Sequence, residues 1–162
     1  LEEAVPLAQA LVLSGAPLLA EHIATQRQNP LLVGPDEESA QWVAQAAARH
    51  GFDHAVCHKI RRGDKEVQIA LPDLAVTGRA VVLLDDVASS GHTLAGAAKL
   101  LLAAGAASVD VAVTHALFAG DALQVIQQAG VDHVWSTDCI THSSNAVSMA
   151  SSIAESLVTH IL

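Results

Sequence analysis

Unbroken apolar runs alternate with amphipathic stretches along most of this chain. Leu31-Leu32-Val33-Gly34 and Val81-Val82-Leu83-Leu84 lack polar alternation, which is the pattern of strands buried on both faces beneath helices. Further strands are predicted over 54–58, 108–114 and 131–137, with an alternating, half-exposed one over 67–71. Helical spacing and composition predict helices over 5–14, 17–28, 37–50, 94–102, 120–129 and 145–162. Asn29-Pro30 stops the second of these, while Gly51 and Gly105 close the third and fourth. In the last, Val147, Ile153, Leu157 and Ile161 form an apolar stripe. Repeated strand and helix with short loops implies a three-layer α/β/α domain with a mainly parallel sheet, whose ligands sit at the carboxyl ends of the strands. Asp36, Lys59, Asp85, Asp86 and Asp138 all fall at such ends.

Composition narrows the class. The 162 residues suit one domain, and half of them are apolar. A formal charge of -9 argues against general binding to nucleic acid or to an anionic membrane, since both need a basic face. No apolar run approaches the ~18 residues of a membrane span. Cys57 and Cys139 lie in apolar contexts and are expected to be buried free thiols, as suits a reducing cytoplasm; a bridge between them stays open at this level. The start, Leu1-Glu2-Glu3-Ala4, has neither an initiator Met nor a basic leader, so residues 1–15 are expected to be a remnant of a preceding domain or an N-terminal helix, ahead of a domain over 16–162.

The chemistry concentrates after the strand at 81–84. Asp85-Asp86-Val87-Ala88-Ser89-Ser90-Gly91-His92-Thr93 joins two carboxylates to a hydroxyl-rich turn that opens a helix. Unpartnered N–H groups and the helix dipole favour a phosphate there, and Gly91 allows the backbone to approach it closely. The two aspartates would repel that phosphate directly. Beside it, they suit sugar hydroxyls or a hydrated divalent cation. Four of the eight Lys and Arg residues, Lys59, Arg61, Arg62 and Lys65, crowd one glycine-containing connection. That is the composition of a loop closing over an anion, or of a solvated hairpin tip. His50, His54 and His58 recur every fourth residue, but Gly51 breaks the helix that a zinc face would need. His115 and His142 are candidates for lining the site, although a structural role is the commoner case for each.

The acidic pair and the loop after it resemble the phosphoribosyl-diphosphate motif of type I phosphoribosyltransferases and ribose-phosphate pyrophosphokinases. Lys59-Ile60-Arg61 is similar to the Lys-x-Arg of the pyrophosphokinases' catalytic loop. Leu31-Leu32-Val33-Gly34-Pro35-Asp36 resembles their Val-Val-x-Pro-Asp segment, and Val113-Thr114-His115-Ala116-Leu117-Phe118-Ala119-Gly120 their Ala-Thr-His-Gly-x-Phe-Ser-Gly segment. The match runs in order from Ala16 and corresponds to the second, C-terminal domain of that family. The resemblance implies a type I phosphoribosyltransferase fold and a cytoplasmic homo-oligomer that needs Mg2+ and transfers diphosphate from ATP to ribose 5-phosphate, releasing AMP. It implies Lys59 and Arg61 as catalytic. Asp36, Asp85, Asp86, Ser89, Ser90, Gly91, His92 and Thr93 would bind the ribose 5-phosphate, with Asp85 and Asp86 beside the metal. The alternatives are a phosphoribosyltransferase that consumes phosphoribosyl diphosphate, and a non-catalytic sugar-phosphate-binding homologue.

Overall fold

The computed structural model describes residues 11–62, 66–71 and 74–160, and residues 59–62 and 66–68 by backbone alone. In chain order the elements are α1 (Ala16–Gln26), β1 (Leu31–Gly34), α2 (Ala40–His50), β2 (His54–Val56), β3 (His58–Arg62), β4 (Glu66–Ala70), β5 (Ala80–Ala88), α3 (His92–Ala103), β6 (Ser108–Ala116), α4 (Ala122–Gln128), β7 (Val134–Thr137), β8 (Asn145–Val147) and α5 (Ala150–His160). A short 3-10 turn, Glu37–Ser39, precedes α2.

Six strands form one sheet in the order β2-β1-β5-β6-β7-β8, and every neighbouring pair is parallel. The apolar runs occupy its centre. Because successive residues of a strand face opposite ways, Leu31, Val33, Val81 and Leu83 join the core under α3 and α4, while Leu32, Val82 and Leu84 join the core under α1 and α2. All of these side chains are fully buried, which explains why no polar residue interrupts the runs. After β1 the chain steps to β2 on one side. After β5 it steps to β6 on the other. The crevice between the ends of β1 and β5 is therefore the switch point at which such sheets bind ligands.

One ion pair lies far from that crevice in sequence logic. Arg27 directly follows α1, and its guanidinium grips the fully buried Asp110 of β6 through two bonds, Nε to Oδ2 at 2.8 Å and Nη2 to Oδ1 at 2.9 Å. His133 Nδ1 lies 3.1 Å from Asp110 Oδ1, and the Trp135 ring lies beneath the guanidinium.

Several sequence expectations are corrected. The helix expected from residue 145 begins only at Ala150, because the Asn145 amide donates to Ser136 Oγ, Thr137 O and Ile140 O at 2.7–3.0 Å and holds the chain extended as β8. Its stripe is not core: Ile153 and Leu157 are 45% and 46% exposed, and no described α5 residue is buried. Ile161 lies outside the described residues, as do residues 5–10 of the expected first helix, and residues 11–14 are not helical. The helix expected from residue 37 starts as a 3-10 turn, since Asp36 accepts from Glu38 N and ties the chain locally. Cys57 is a buried free thiol as expected, but Cys139 is exposed, on the turn that leaves β7.

Candidate active site

A cavity of about 400 Å³ opens at the switch point. One wall comes from the turn after β1, where Pro35 and Asp36 leave the sheet, and it carries Asp36, Glu38 and Trp42. The other comes from the end of β5 and the loop into α3, and it carries Asp85, Asp86, Ser89, Ser90, Gly91 and Thr93. Of the predicted sugar-phosphate residues, only His92 is missing from this lining. It is exposed at the first position of α3.

The loop after β5 is held from below. Phe118 N donates to Ala88 O at 2.9 Å and Ala119 N donates to Ser89 O at 3.0 Å, so the segment after β6 acts as a splint. Phe118 adopts φ 34 to do so, which is unusual for a residue with a side chain, and its ring packs 4.9 Å from that of His142. Gly91 precedes α3 at φ 74, and no side chain caps the helix start. Its first-turn N–H groups are accordingly available to an anion on the cavity side. A side chain at this position would meet Ala122 O at 2.9 Å and Ile126 at 3.0 Å. Gly91→Ala is therefore expected to lower stability by about 2–3 kcal/mol, from the left-handed backbone and the backbone contact together. Urea unfolding would measure this, and phosphate affinity should fall with it.

The carboxylates are unequal. Burial pushes Asp85 up to about 7, and Asp86 and Asp36 push the same way, while the Asp86 N–H donated to Asp85 Oδ1 at 2.9 Å partly opposes them. A raised carboxyl favours folding while it is protonated, so this contribution is full below the ordinary value near 4 and is lost as pH climbs through about 7. Asp85→Asn keeps the acceptor for the Asp86 N–H and removes the charge. At pH 8 the variant should unfold about 2 kcal/mol harder than the parent, and near pH 4 no harder, as read from urea midpoints at the two values.

Among the described lining residues four are carboxylates, Asp36, Glu38, Asp85 and Asp86, and none is Lys, Arg or His. Lys59, Arg61 and Arg62 lie on the first strand of the β3–β4 hairpin. It pairs antiparallel in the register His58↔Ala70 to Arg62↔Glu66, so Lys59 and Arg61 occupy alternate positions on β3. Their side chains lie outside the described residues. The base of the hairpin is placed beside the cavity: His58 Nδ1 lies 3.1 Å from Glu37 Oε1 on the turn after β1, and Ile69 lies over Gly96 of α3. Asp138, also at a strand end, does other work. It accepts from Ser148 Oγ at 2.6 Å and Met149 N at 2.8 Å, which draws its carboxyl below the usual range and pins the start of α5. His115 lines a smaller hollow of about 80 Å³ on the far side of Asp86, with Trp42 and Thr114. His142 is held by Ser144. Sequence reasoning passed over Trp42. Its signal was rarity, one of two tryptophans, placed early in the helix after Pro35-Asp36.

Among the described residues no group of three His, Cys, Asp or Glu side chains converges on a metal-sized point. No described helix is long and apolar enough to cross a membrane.

The family model of the phosphoribosyl transferase domain matches residues 6–151. A ribose-phosphate pyrophosphokinase of Methanosarcina acetivorans is 39% identical over 149 residues, covering 91% of this chain and 53% of that protein. One from Methanosarcina mazei is 36% identical over 146 residues, covering 90% and 50%. The crystal structure of phosphoribosylpyrophosphate synthetase from Mycobacterium smegmatis matches with a TM-score of 0.73 and 26% identity, over 90% of this chain and 50% of that one. The chain spans about half the length of the curated relatives it matches. The matched span takes in every strand of the sheet and both walls of the cavity, and on that ground the chain belongs to the phosphoribosyl transferase domain family.

Proposed function

We propose that this domain binds ribose 5-phosphate and, with ATP, carries out the ribose-phosphate diphosphokinase reaction as the C-terminal part of such an enzyme. The observation that carries the reading is the joining of Asp85 and Asp86 to the uncapped start of α3 in one cavity. The 5-phosphate would sit on the N–H groups and hydroxyls of Ser89, Ser90, Gly91, His92 and Thr93, with Asp36, Asp85 and Asp86 accepting from ribose hydroxyls. The sugar's anomeric oxygen then attacks the β-phosphorus of ATP, and the bond from that phosphorus to the α-phosphate oxygen breaks, so AMP leaves. Such transfers depend on positioning and charge stabilisation more than on covalent help from the protein. Lys59 and Arg61 would supply that charge from the hairpin.

The donor set fits magnesium of one kind. A pair of adjacent carboxylates is too few for an all-protein cage, but magnesium is commonly held by one or two carboxylates while keeping waters and substrate phosphate oxygens. Asp85 and Asp86 would hold it, and it would neutralise diphosphate charge when bound. Burial first, and the Asp86 and Asp36 charges after it, disfavour the ionised form of Asp85, and a cation held there would favour that form. A homo-oligomer belongs to the same reading.

Incubation with magnesium, ATP and ribose 5-phosphate should release AMP in step with phosphoribosyl diphosphate. No AMP, with ribose 5-phosphate still bound in calorimetry, would replace catalysis by sugar-phosphate binding. Neither signal would remove the reading altogether.

A further inference from the structure

Ser39 stands at the position before α2 where a serine ordinarily caps a helix, yet its hydroxyl makes no capping bond. The hydroxyl turns back instead and donates to Asp36 O at 2.5 Å, while Ser39 N donates to the same oxygen at 3.3 Å. Its side chain is fully buried. The space it fills belongs to its neighbour: a Cβ built on Gly34 would collide with Ser39 Oγ and lie 2.8 Å from Val56 Cγ1. Gly34 is thus the one β1 residue whose missing side chain admits another residue's hydroxyl. Around this contact the turn closes tightly, with Glu38 N donating to Asp36 Oδ1 at 3.1 Å and Cys57 N donating to Gly34 O at 2.8 Å. Asp36 is left only 9% exposed, at the cavity wall.

We infer that Ser39 is the positioning residue for Asp36, and that Gly34 is its steric complement: together they set the carboxylate wall that faces the sugar phosphate. The inference rests on the proposed function for the identity of the ligand, but not for the geometry. Ser39 itself is not among the residues that line the cavity. A hydroxyl bonded to the Asp36 carbonyl restrains rotation of the Asp36-Glu37 peptide, and so the backbone that aims the Asp36 side chain into the cavity.

Two measurements on the full chain test this. In Ser39→Ala, which keeps the side chain's volume nearly whole, amide exchange at Glu38 and residue 39 should quicken by about tenfold or more while the later amides of α2 stay protected. Affinity for ribose 5-phosphate should fall about tenfold, the worth of one buried hydrogen bond. Gly34→Ala should weaken binding further, and Gly34→Ala combined with Ser39→Gly should recover part of that loss, because the collision is then relieved. Unchanged exchange at Glu38 and residue 39 would overturn the inference, as would effects of the two positions that simply multiply. If the parent protein binds no ribose 5-phosphate, the functional reading fails alone. Exchange rates and the coupling read from urea midpoints then decide the role of Ser39 by themselves.

Discussion

Lys59→Ala is expected to slow AMP release from ATP and ribose 5-phosphate by about 100-fold or more, with ribose 5-phosphate affinity nearly intact. Removing one preorganised donor from a site where charge develops costs on that order in turnover. Here the loss should fall at the heavy end, because the described wall of the cavity offers four carboxylates and no cation. A transferring diphosphate placed there needs positive charge from somewhere other than the wall. The hairpin is tied by His58 to the turn after β1 and by Ile69 to α3, and on the proposed reading Lys59 and Arg61 of its first strand supply that charge. On the proposed reading the 5-phosphate sits elsewhere, at the start of α3, which is why binding should survive. Steady-state kinetics beside calorimetry separates the two effects. Equal loss of turnover and sugar binding would mean that Lys59 holds the sugar phosphate, and the division of labour would be wrong.

Arg27→Met should have the largest effect on stability, about 3–5 kcal/mol. It leaves the Asp110 carboxylate fully buried in the middle of the sheet with its paired guanidinium gone. The neighbouring His133 is 57% exposed and reaches only one carboxylate oxygen. Adding Asp110→Asn to Arg27→Met should recover much of the loss, since it is the stranded charge and not the missing contact that is costly. By contrast, Arg49→Met removes an exposed pair with Glu21 and should cost under about 1 kcal/mol. Urea midpoints with and without added salt make the comparison, and only the surface pair should respond appreciably to salt. A loss of similar small size for both arginines would show that Asp110 is solvated on opening of the α1 end.

The layered α/β architecture and the acidic bend were legible from the chain alone because both are local patterns. An uninterrupted apolar run such as Val81-Val82-Leu83-Leu84 has one economical place to go, the middle of a covered sheet, and Asp85-Asp86 and Ser89-Ser90-Gly91, close together in the chain, line one cavity. Asp36 was found the same way, from a turn directly after a buried strand.

What the tertiary structure alone decided is everything that depends on residues distant in sequence coming into contact. Arg27 and Asp110 stand 83 positions apart, and no local pattern marks either as a partner of the other. The end of the chain beyond Asn145 read as one helix because periodicity does not see a side-chain amide bonding back to Ser136 and Thr137 across a turn. Ser39 occupies a cap position, yet its hydroxyl bonds Asp36 O in the space left open by Gly34, a contact that no local pattern marks. Hydrophobic burial is encoded residue by residue, so it is written in the order of the chain; the direction of a hydrogen bond and the room for a single Cβ are set only when separate segments have already packed.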